Sequence, residues 1–272
     1  MERERKDLQE ALTAVFGESD SESDTETEVP CNYSWKAVKE IPGLWLCKGF
    51  LSAQQQEELV SAIDSEGWFI DSKHNQAMRF KDLPDWAFEL SQFIHDAVSS
   101  YALANDSLYL SAESKISMSD MPFNLNLLQR VPLFDQMIVN RYQPGEGICA
   151  HVDLLRFEDG IAILSLESTC VMHFTQCMPN VSILESELRY NHQAGHTFAA
   201  NQKQSCGQQE KVPVLLEPGD LVLLSGEARY KWTHEINRSE ACQTWEGELI
   251  CQMRRTSVTL RKLTISEEVH TS

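Results

Sequence analysis

The segment NRYQPGEGICAHVD runs from Asn140 to Asp153 and closes on His151 and Asp153, separated by one residue. On a strand or at its exit, that spacing points an imidazole and a carboxylate to the same face. Joined by a distant histidine, they make a 2-His-1-carboxylate triad, which leaves half of an octahedral Fe(II) open to oxygen and a co-substrate. Alone, H-x-D is a weak signal, so the third ligand matters. His234 is the best candidate, because DLVLLSGEARYKWTHEI carries a buried strand into a turn and ends at that histidine. His192 and His196 lie in a polar stretch that fixes no geometry, and His74, His95, His173 and His270 lack a strand-end setting. A lone histidine in such a place is more often a solvated side chain.

Such an iron centre needs an electron donor that can chelate it. A 2-oxo acid does so through its keto and C1 carboxylate oxygens, while its far carboxylate needs a fixed cation. Arginine suits this because it is always charged and its fork matches a carboxylate bidentately. RTSVTLR supplies Arg255 and Arg261, whose even separation on a strand puts them on one face with Ser257 and Thr259. Facing a core, they are costly unless paired with an anion. Two exposed edge arginines are the plainer reading of the same pattern.

The elements that must hold these residues follow from patterning. The folded part begins near Asn32, and IPGLWLCKGFLSAQQQEELVSAI reads as a strand over Leu44 to Cys47 and then a helix capped by Ser52, with Leu59, Val60 and Ile63 facing the core. A second helix starts near Pro84, with Phe88, Leu90 and Ile94 as its apolar contacts. From Phe134 onward, QMIVNRY, GIAILSL, CVMHF, PVLLE, DLVLLSG and SVTLRKL are short apolar or β-branched runs separated by turn residues. Six strands after two helices predict an α+β arrangement around a double-sheet barrel. Residues 180–211 break the rhythm: polar and rich in Gln, Asn and Ser, they are too long for a routine hairpin.

Taken together, Asn140-x-Tyr142-x-Pro144-Gly145, the H-x-D eleven residues beyond the asparagine, a far histidine and the closing RTSVTLR resemble the AlkB family of iron- and 2-oxoglutarate-dependent dioxygenases. The resemblance covers about Gly43 to Leu263 and is strongest over 135–174 and 220–263. GEARYKWTH and RTSVTLRKL look nearest to the branch that hydroxylates modified wobble uridine in tRNA, whose RNA-recognition and methyltransferase domains are not expected within 272 residues. The resemblance implies Fe(II) on His151, Asp153 and His234, with 2-oxoglutarate and O2 as co-substrates. It places 2-oxoglutarate against Asn140, Tyr142, Arg255 and Arg261, with Arg255 on the distal carboxylate and Arg261 toward the chelating end. Ser257 stands where many members carry Asn, and Leu260 where Phe is common. The implied fold is a double-stranded β-helix (jelly-roll) core, with N-terminal helices forming a nucleotide lid.

AlkB relatives stack an extruded or single-stranded base on aromatic or imidazole groups. Met78, Arg79 and Phe80, ahead of the second helix, and Arg229, Tyr230 and Trp232, before the distal histidine, are the candidate substrate contacts. For Trp232 and Phe80, plain core packing competes with that role. The resulting expectation is oxidative demethylation or hydroxylation of a modified nucleobase. Hydroxylating an N-methyl carbon gives a hemiaminal that loses formaldehyde, whereas a hydroxyl on a C-linked group stays in place. The alternatives are the same chemistry on a protein side chain or small molecule, and a non-catalytic binding module of the same fold. Zinc hydrolysis from the same ligands fits less well, since two arginines on one face serve a co-substrate better than a zinc-bound water.

Charge narrows the partner. The chain has 41 acidic and 23 basic residues, a net charge of −18, and both the first 28 residues and the remainder are acidic. Non-specific DNA affinity comes mostly from Lys and Arg displacing counterions, so a nucleic-acid role must depend on a local pocket or groove, and RNA, or a protein side chain, is favoured over duplex DNA. No apolar run is long enough for a membrane helix, and no secretory signal opens the chain. Eight scattered cysteines without a CxxC pair are expected to be reduced, in the cytoplasm or nucleus. Residues 1–31 are expected to be an acidic, disordered tail with a short amphipathic helix, 32–265 the catalytic domain with the 180–211 insertion, and 266–272 a C-terminal tail. Ser19, Ser21, Ser23 and Thr25 each have an acidic residue three positions on, a pattern acidophilic kinases accept. A monomer is the default expectation.

Overall fold

Ser52 starts the first helix as the sequence requires. Its hydroxyl accepts from the Gln55 amide at 3.3 Å while the Gln55 side chain accepts from the Ser52 amide at 2.8 Å, so two orphan donors are satisfied reciprocally. The computed structural model describes residues 34–71, 74–109, 121–177, 210–238 and 242–264. The N-terminal tail with its phosphorylation positions, nearly all of the 180–211 stretch, and 266–272 lie outside the described residues. In chain order the elements are β1 (Ser34–Ala37), β2 (Leu44–Lys48), α1 (Ala53–Ser65), β3 (Gln76–Phe80), α2 (Asp85–Tyr109) and α3 (Leu125–Leu128). There follow β4 (Gln136–Tyr142), β5 (Ile148–His151), β6 (Ile161–Leu166), β7 (Cys170–Gln176), β8 (Val212–Leu216) and β9 (Leu221–Leu224). The last are α4 (Gly226–Tyr230), β10 (Trp232–Ile236), β11 (Cys242–Trp245), β12 (Glu248–Cys251) and β13 (Arg255–Arg261).

Both helices and all the strands expected within the described residues are present. Two local expectations need correction. Phe88 is 60% exposed, because about 100° per residue puts it on the far side of α2 from Leu90, which is buried with Ile94. His234 lies in the middle of β10, not at the end of a turn: β9 hands over to the single turn of α4, and a further strand follows.

The strands form a jelly-roll sandwich. One sheet has seven strands in the order β1-β2-β9-β6-β13-β4-β3, facing a four-stranded sheet ordered β5-β10-β7-β8, and the hairpin β11–β12 stands apart. Alternation splits the large sheet's side chains cleanly. Ala162, Leu164, Leu221, Leu223, Val258 and Leu260 pack outward with α1 and α2, while Ile161, Ile163, Val222 and Leu224 pack inward against Met172, Phe174, Leu216, Trp232 and Ile236. Covered on both faces, β9 reads as an unbroken apolar run and β6 as one interrupted only by Ser165. On β13 the outward positions Val258 and Leu260 are apolar, but the alternate positions Arg255, Ser257, Thr259 and Arg261 are polar, and Asn140 is Ser257's cross-strand partner on β4. The interior therefore has an apolar end and a polar end, and the chemistry sits at the polar one.

Candidate metal centre

His151 ends β5 and His234 is its direct cross-strand partner on β10. Glycine makes the approach of these strands possible: a Cβ on Gly147 would stand 2.2 Å from the Ile236 carbonyl oxygen, forcing β5 away from β10. The two imidazoles lie 4.3 Å apart between centroids. Asp153 follows two residues beyond His151, and one ligand atom from each of the three residues falls within 4.8 Å of the others. His234 Nε2 is 3.8 Å from Asp153 Oδ2. His151 Nδ1 lies 2.9 Å from the Cys149 carbonyl oxygen. A carbonyl only accepts, so Nδ1 carries the proton and Nε2 keeps its lone pair for a metal.

The protonation states suit a cation. Burial alone would raise the Asp153 carboxyl, but Arg261, His234 and His151 outweigh it and hold the group below the usual carboxylate range. Arg261 makes a direct ion pair with Asp153. His234 is pushed down to about 3, first by burial and then by the neighbouring His151. A carboxylate and a neutral imidazole are the forms that ligate metal near neutral pH. The donor set of two imidazoles and one carboxylate fits Fe(II) with open positions.

Arg229 explains how Asp153 is held. Only 1% exposed, its guanidinium donates to three carbonyls: Asp153 at 2.9 Å, Leu154 at 2.7 Å and Phe157 at 3.0 Å. This corrects the expectation of a phosphate or base contact, since the side chain is turned inward and engaged with backbone. Trp232 is corrected likewise: 7% exposed, it packs in the inter-sheet core with Phe174 and Ile236 and offers no face to a base.

Beside the candidate metal ligands lies a second set of polar groups. Arg255, also buried, donates from Nη2 to Ser165 Oγ at 2.8 Å and lies 5.7 Å from the Tyr142 ring centroid. Burial raises the Tyr142 phenol pKa, with Arg255 opposing, so the hydroxyl stays a donor. Ser257 is the cross-strand partner of Asn140 on one side and Ser165 on the other, and the Asn140 side-chain oxygen accepts from Gln76 Nε2 at 2.7 Å. A small pocket here is lined by Tyr142, Thr169, Cys170, Gln252, Met253 and Arg255. Within it, Arg255 Nε and Gln252 Oε1 are buried without partners, and Arg261 Nε and His234 Nδ1 share that condition around Asp153. Buried polar atoms are seldom left unpaired. A buried guanidinium with an uncommitted N–H beside a phenol and hydroxyls fits an anionic co-substrate.

The remaining expected contacts divide. Arg79 stacks on Trp68 with its guanidinium 4.6 Å from the ring centroid. Met78 and Phe80 are exposed on β3, the edge strand beside β4, and Tyr230 is 40% exposed with the Arg229 guanidinium 4.8 Å from its ring centroid. Sequence reasoning missed Arg156, whose guanidinium stands 5.7 Å from the Phe80 centroid and 5.1 Å from that of Phe157. It follows Leu154 and Leu155, both exposed, immediately after the candidate metal ligand Asp153. It missed Gln76, Ser165 and Gln252 as well, for which no local pattern gives a signal.

Comparison with known proteins converges on this geometry. A family model for the 2OG-Fe(II) oxygenase superfamily matches residues 43–261. The chain is 28% identical over 237 residues to an "Alkylated DNA repair protein ALKBH8 homolog" of Arabidopsis thaliana, covering 82% of this chain and 59% of that protein. It is 26% identical over 222 residues to the tRNA (carboxymethyluridine(34)-5-O)-methyltransferase alkbh8 of Xenopus tropicalis, covering 78% of this chain and 29% of that one. The match thus spans less than two thirds of either relative. Among solved structures, "The structure of OsALKBH1" superposes with a TM-score of 0.50 at 16% identity, covering 81% of this chain and 97% of that one. At such identity the likeness concerns the fold alone.

Proposed function

This chain belongs to the 2OG-Fe(II) oxygenase superfamily and is AlkB-like within it, and we propose that it oxidises a modified nucleobase in single-stranded or looped RNA. The observation that carries the reading is the convergence of His151, Asp153 and His234 beside a buried Arg255. Bound Fe(II) with 2-oxoglutarate and O2 supplies oxidation of an unreactive C–H bond, the 2-oxo acid leaving as succinate and carbon dioxide. The protein's own part is placement. Arg255, with Tyr142 beside it, takes the distal carboxylate of 2-oxoglutarate. Asn140 and Ser257 give hydrogen bonds along its length. Arg261 fixes the Asp153 carboxylate and marks the chelating end, while Arg229 holds the loop behind it.

Substrate enters past β3. Phe80 offers a half-exposed ring, Arg156 lies against it as a cation for a phosphate, and Leu154 and Leu155 give an apolar rim. Tyr230 is a further aromatic surface for the base. The RNA reading rests on the net charge of −18. So acidic a protein neutralises few phosphates and has little with which to offset the few kcal/mol of extracting a base from a duplex. A base already unstacked in a loop removes that cost. The Xenopus tropicalis relative is named for an activity on tRNA, which is consistent with this.

The experiment is a panel of methylated RNA and DNA oligonucleotides, single- and double-stranded, incubated with the protein, Fe(II), 2-oxoglutarate and ascorbate and read for substrate mass change. Conversion is expected for single-stranded or looped RNA, with a shallow salt dependence. His151→Ala and Asp153→Ala should abolish succinate formation with the fold intact. Preferential oxidation of duplex DNA, or of protein without nucleic acid, refutes the substrate reading; full activity in either variant refutes the metal assignment.

A further inference from the structure

Arg255 does not close the co-substrate pocket alone. The segment between β12 and β13 brings Gln252 to the same wall, where it is only 7% exposed and lines the pocket with Tyr142, Thr169 and Arg255. The residues after it are pinned on the turn between β6 and β7. The Met253 amide donates to Ser168 Oγ at 3.1 Å, and Arg254 Nε donates to Glu167 Oε1 at 2.9 Å. The hairpin before it is anchored too: Gln243 of β11 is buried and exchanges hydrogen bonds with the backbone of Val171 on β7 at 2.6 and 3.1 Å. The backbone thus fixes where Gln252 stands, yet its side-chain oxygen is buried with no partner. Glutamine is mostly a surface residue, and a buried amide oxygen that bonds nothing is costly.

Arg255 Nε and the Gln252 amide therefore face one pocket with buried polar atoms that bond nothing, not even each other. A carboxylate satisfies both. It only accepts, at about four sites on two oxygens, so Arg255 can hold one oxygen and an amide N–H the other. Half a turn about its terminal bond exchanges the nitrogen and oxygen of an amide with little change of shape, so Gln252 can present Nε2 to an anion. We infer that Gln252 is a second anchor for the distal carboxylate of 2-oxoglutarate and sets the preference for 2-oxo acids that carry one. The inference rests on the reading that Arg255 holds this carboxylate. A 2-oxo acid that lacks it leaves Arg255 and Gln252 both buried and unpaired, and a site built to hydrogen-bond a group rejects the analogue without it.

The test measures binding without turnover. The whole protein, loaded with Mn(II) under nitrogen, is titrated calorimetrically with 2-oxoglutarate and with 2-oxopentanoate, which has the same carbon chain length and a methyl group in place of the distal carboxylate. Gln252→Met, unbranched and of similar length, should bind 2-oxoglutarate about tenfold more weakly, the loss of one hydrogen bond to a charged group, and bind 2-oxopentanoate as wild type does. Gln252→Glu places a carboxylate of the protein's own beside Arg255. It should bind 2-oxoglutarate more weakly still, while melting no lower than wild type. Equal weakening of both acids in Gln252→Met would show a structural role only, and either variant binding 2-oxoglutarate like wild type would remove the contact; each result overturns the inference. Arg255→Ala separates it from the reading beneath it. If that variant binds 2-oxoglutarate weakly while Gln252→Met binds it normally, the role of Gln252 falls alone; if Arg255→Ala binds like wild type, the placement of the co-substrate falls with it.

Discussion

Replacing Arg229 by Met separates a positioning role from a substrate contact. The substitution keeps an unbranched apolar stem and removes three charge-assisted hydrogen bonds, to the carbonyls of Asp153, Leu154 and Phe157. Hydrogen bonds involving a charged group contribute about 1.5–3 kcal/mol each, which sets an upper bound of roughly 5–9 kcal/mol. Much of this is cancelled, because Arg229 no longer has to be desolvated and burying a guanidinium is itself costly. A net destabilisation of about 3 kcal/mol is expected. At roughly 2–4 °C per kcal/mol for a domain of this size, melting should fall by about 6–12 °C. Since the freed loop carries Asp153, affinity for Fe(II), or for Co(II) as a spectroscopic stand-in, should fall in the folded protein at low temperature. A substrate contact predicts the opposite split: unchanged melting, unchanged metal binding and a raised KM for oligonucleotide. Finding that pattern would refute the reasoning.

Arg255→Ala should raise the apparent KM for 2-oxoglutarate by the equivalent of about 2–5 kcal/mol, and Arg255→Lys should recover only part of it, because a point charge cannot hold Ser165 and a carboxylate as a fork does; a titration like wild type would move the co-substrate elsewhere. Phe80→Ala and Arg156→Ala should each lower oligonucleotide conversion, with a stacked base contributing about 1–3 kcal/mol, while leaving substrate-free conversion of 2-oxoglutarate intact. Equal loss of both activities would place these residues in the catalytic core instead. Burial alone would lower the Lys48 pKa, but hydrogen bonds to Asp220 and Glu217 outweigh it and raise it above 10.5. A group raised on folding gives stability that is complete below its unfolded pKa and lost as pH rises through the folded one. Lys48→Met should therefore flatten the alkaline limb of thermal stability above about pH 10, and an unchanged limb would count against the ion pair.

The parts of this fold legible in the sequence are those where burial is two-sided or where a cap is local. β6 and β9 announce themselves as apolar runs, and Ser52 with Gln55 is a three-residue signal. β3, β5 and β10 were harder. Each is short: β3 has one buried position among exposed ones, β5 has no fully buried position, and β10 alternates over only five residues directly after Lys231 and the turn of α4. The triad was reachable because H-x-D is local and the buried run DLVLLSG leads through a turn to His234. Arg229 and Trp232 misled for a physical reason. An arginine and an aromatic ring just before a metal ligand look the same whether they face solvent or core. What turned Arg229 inward was a set of backbone carbonyls more than seventy residues away in sequence, and every residue carries a carbonyl.

The two arginines of β13 look equivalent in RTSVTLR, yet the structure gives them different work. Arg261 is already neutralised by Asp153, donates to Gln136 Oε1 at 3.3 Å and lies 4.9 Å from the Phe157 ring centroid. Any carboxylate drawn to it competes with Asp153, the candidate metal ligand it holds. Arg255, more deeply buried on the same face, has a hydroxyl and an aromatic ring for company, neither of which carries the negative charge its burial calls for. An anion supplied from outside removes that penalty only at Arg255. Placing the distal carboxylate there leaves Arg261 free to keep Asp153 ionised, so one strand serves metal and co-substrate without setting the two charges against each other.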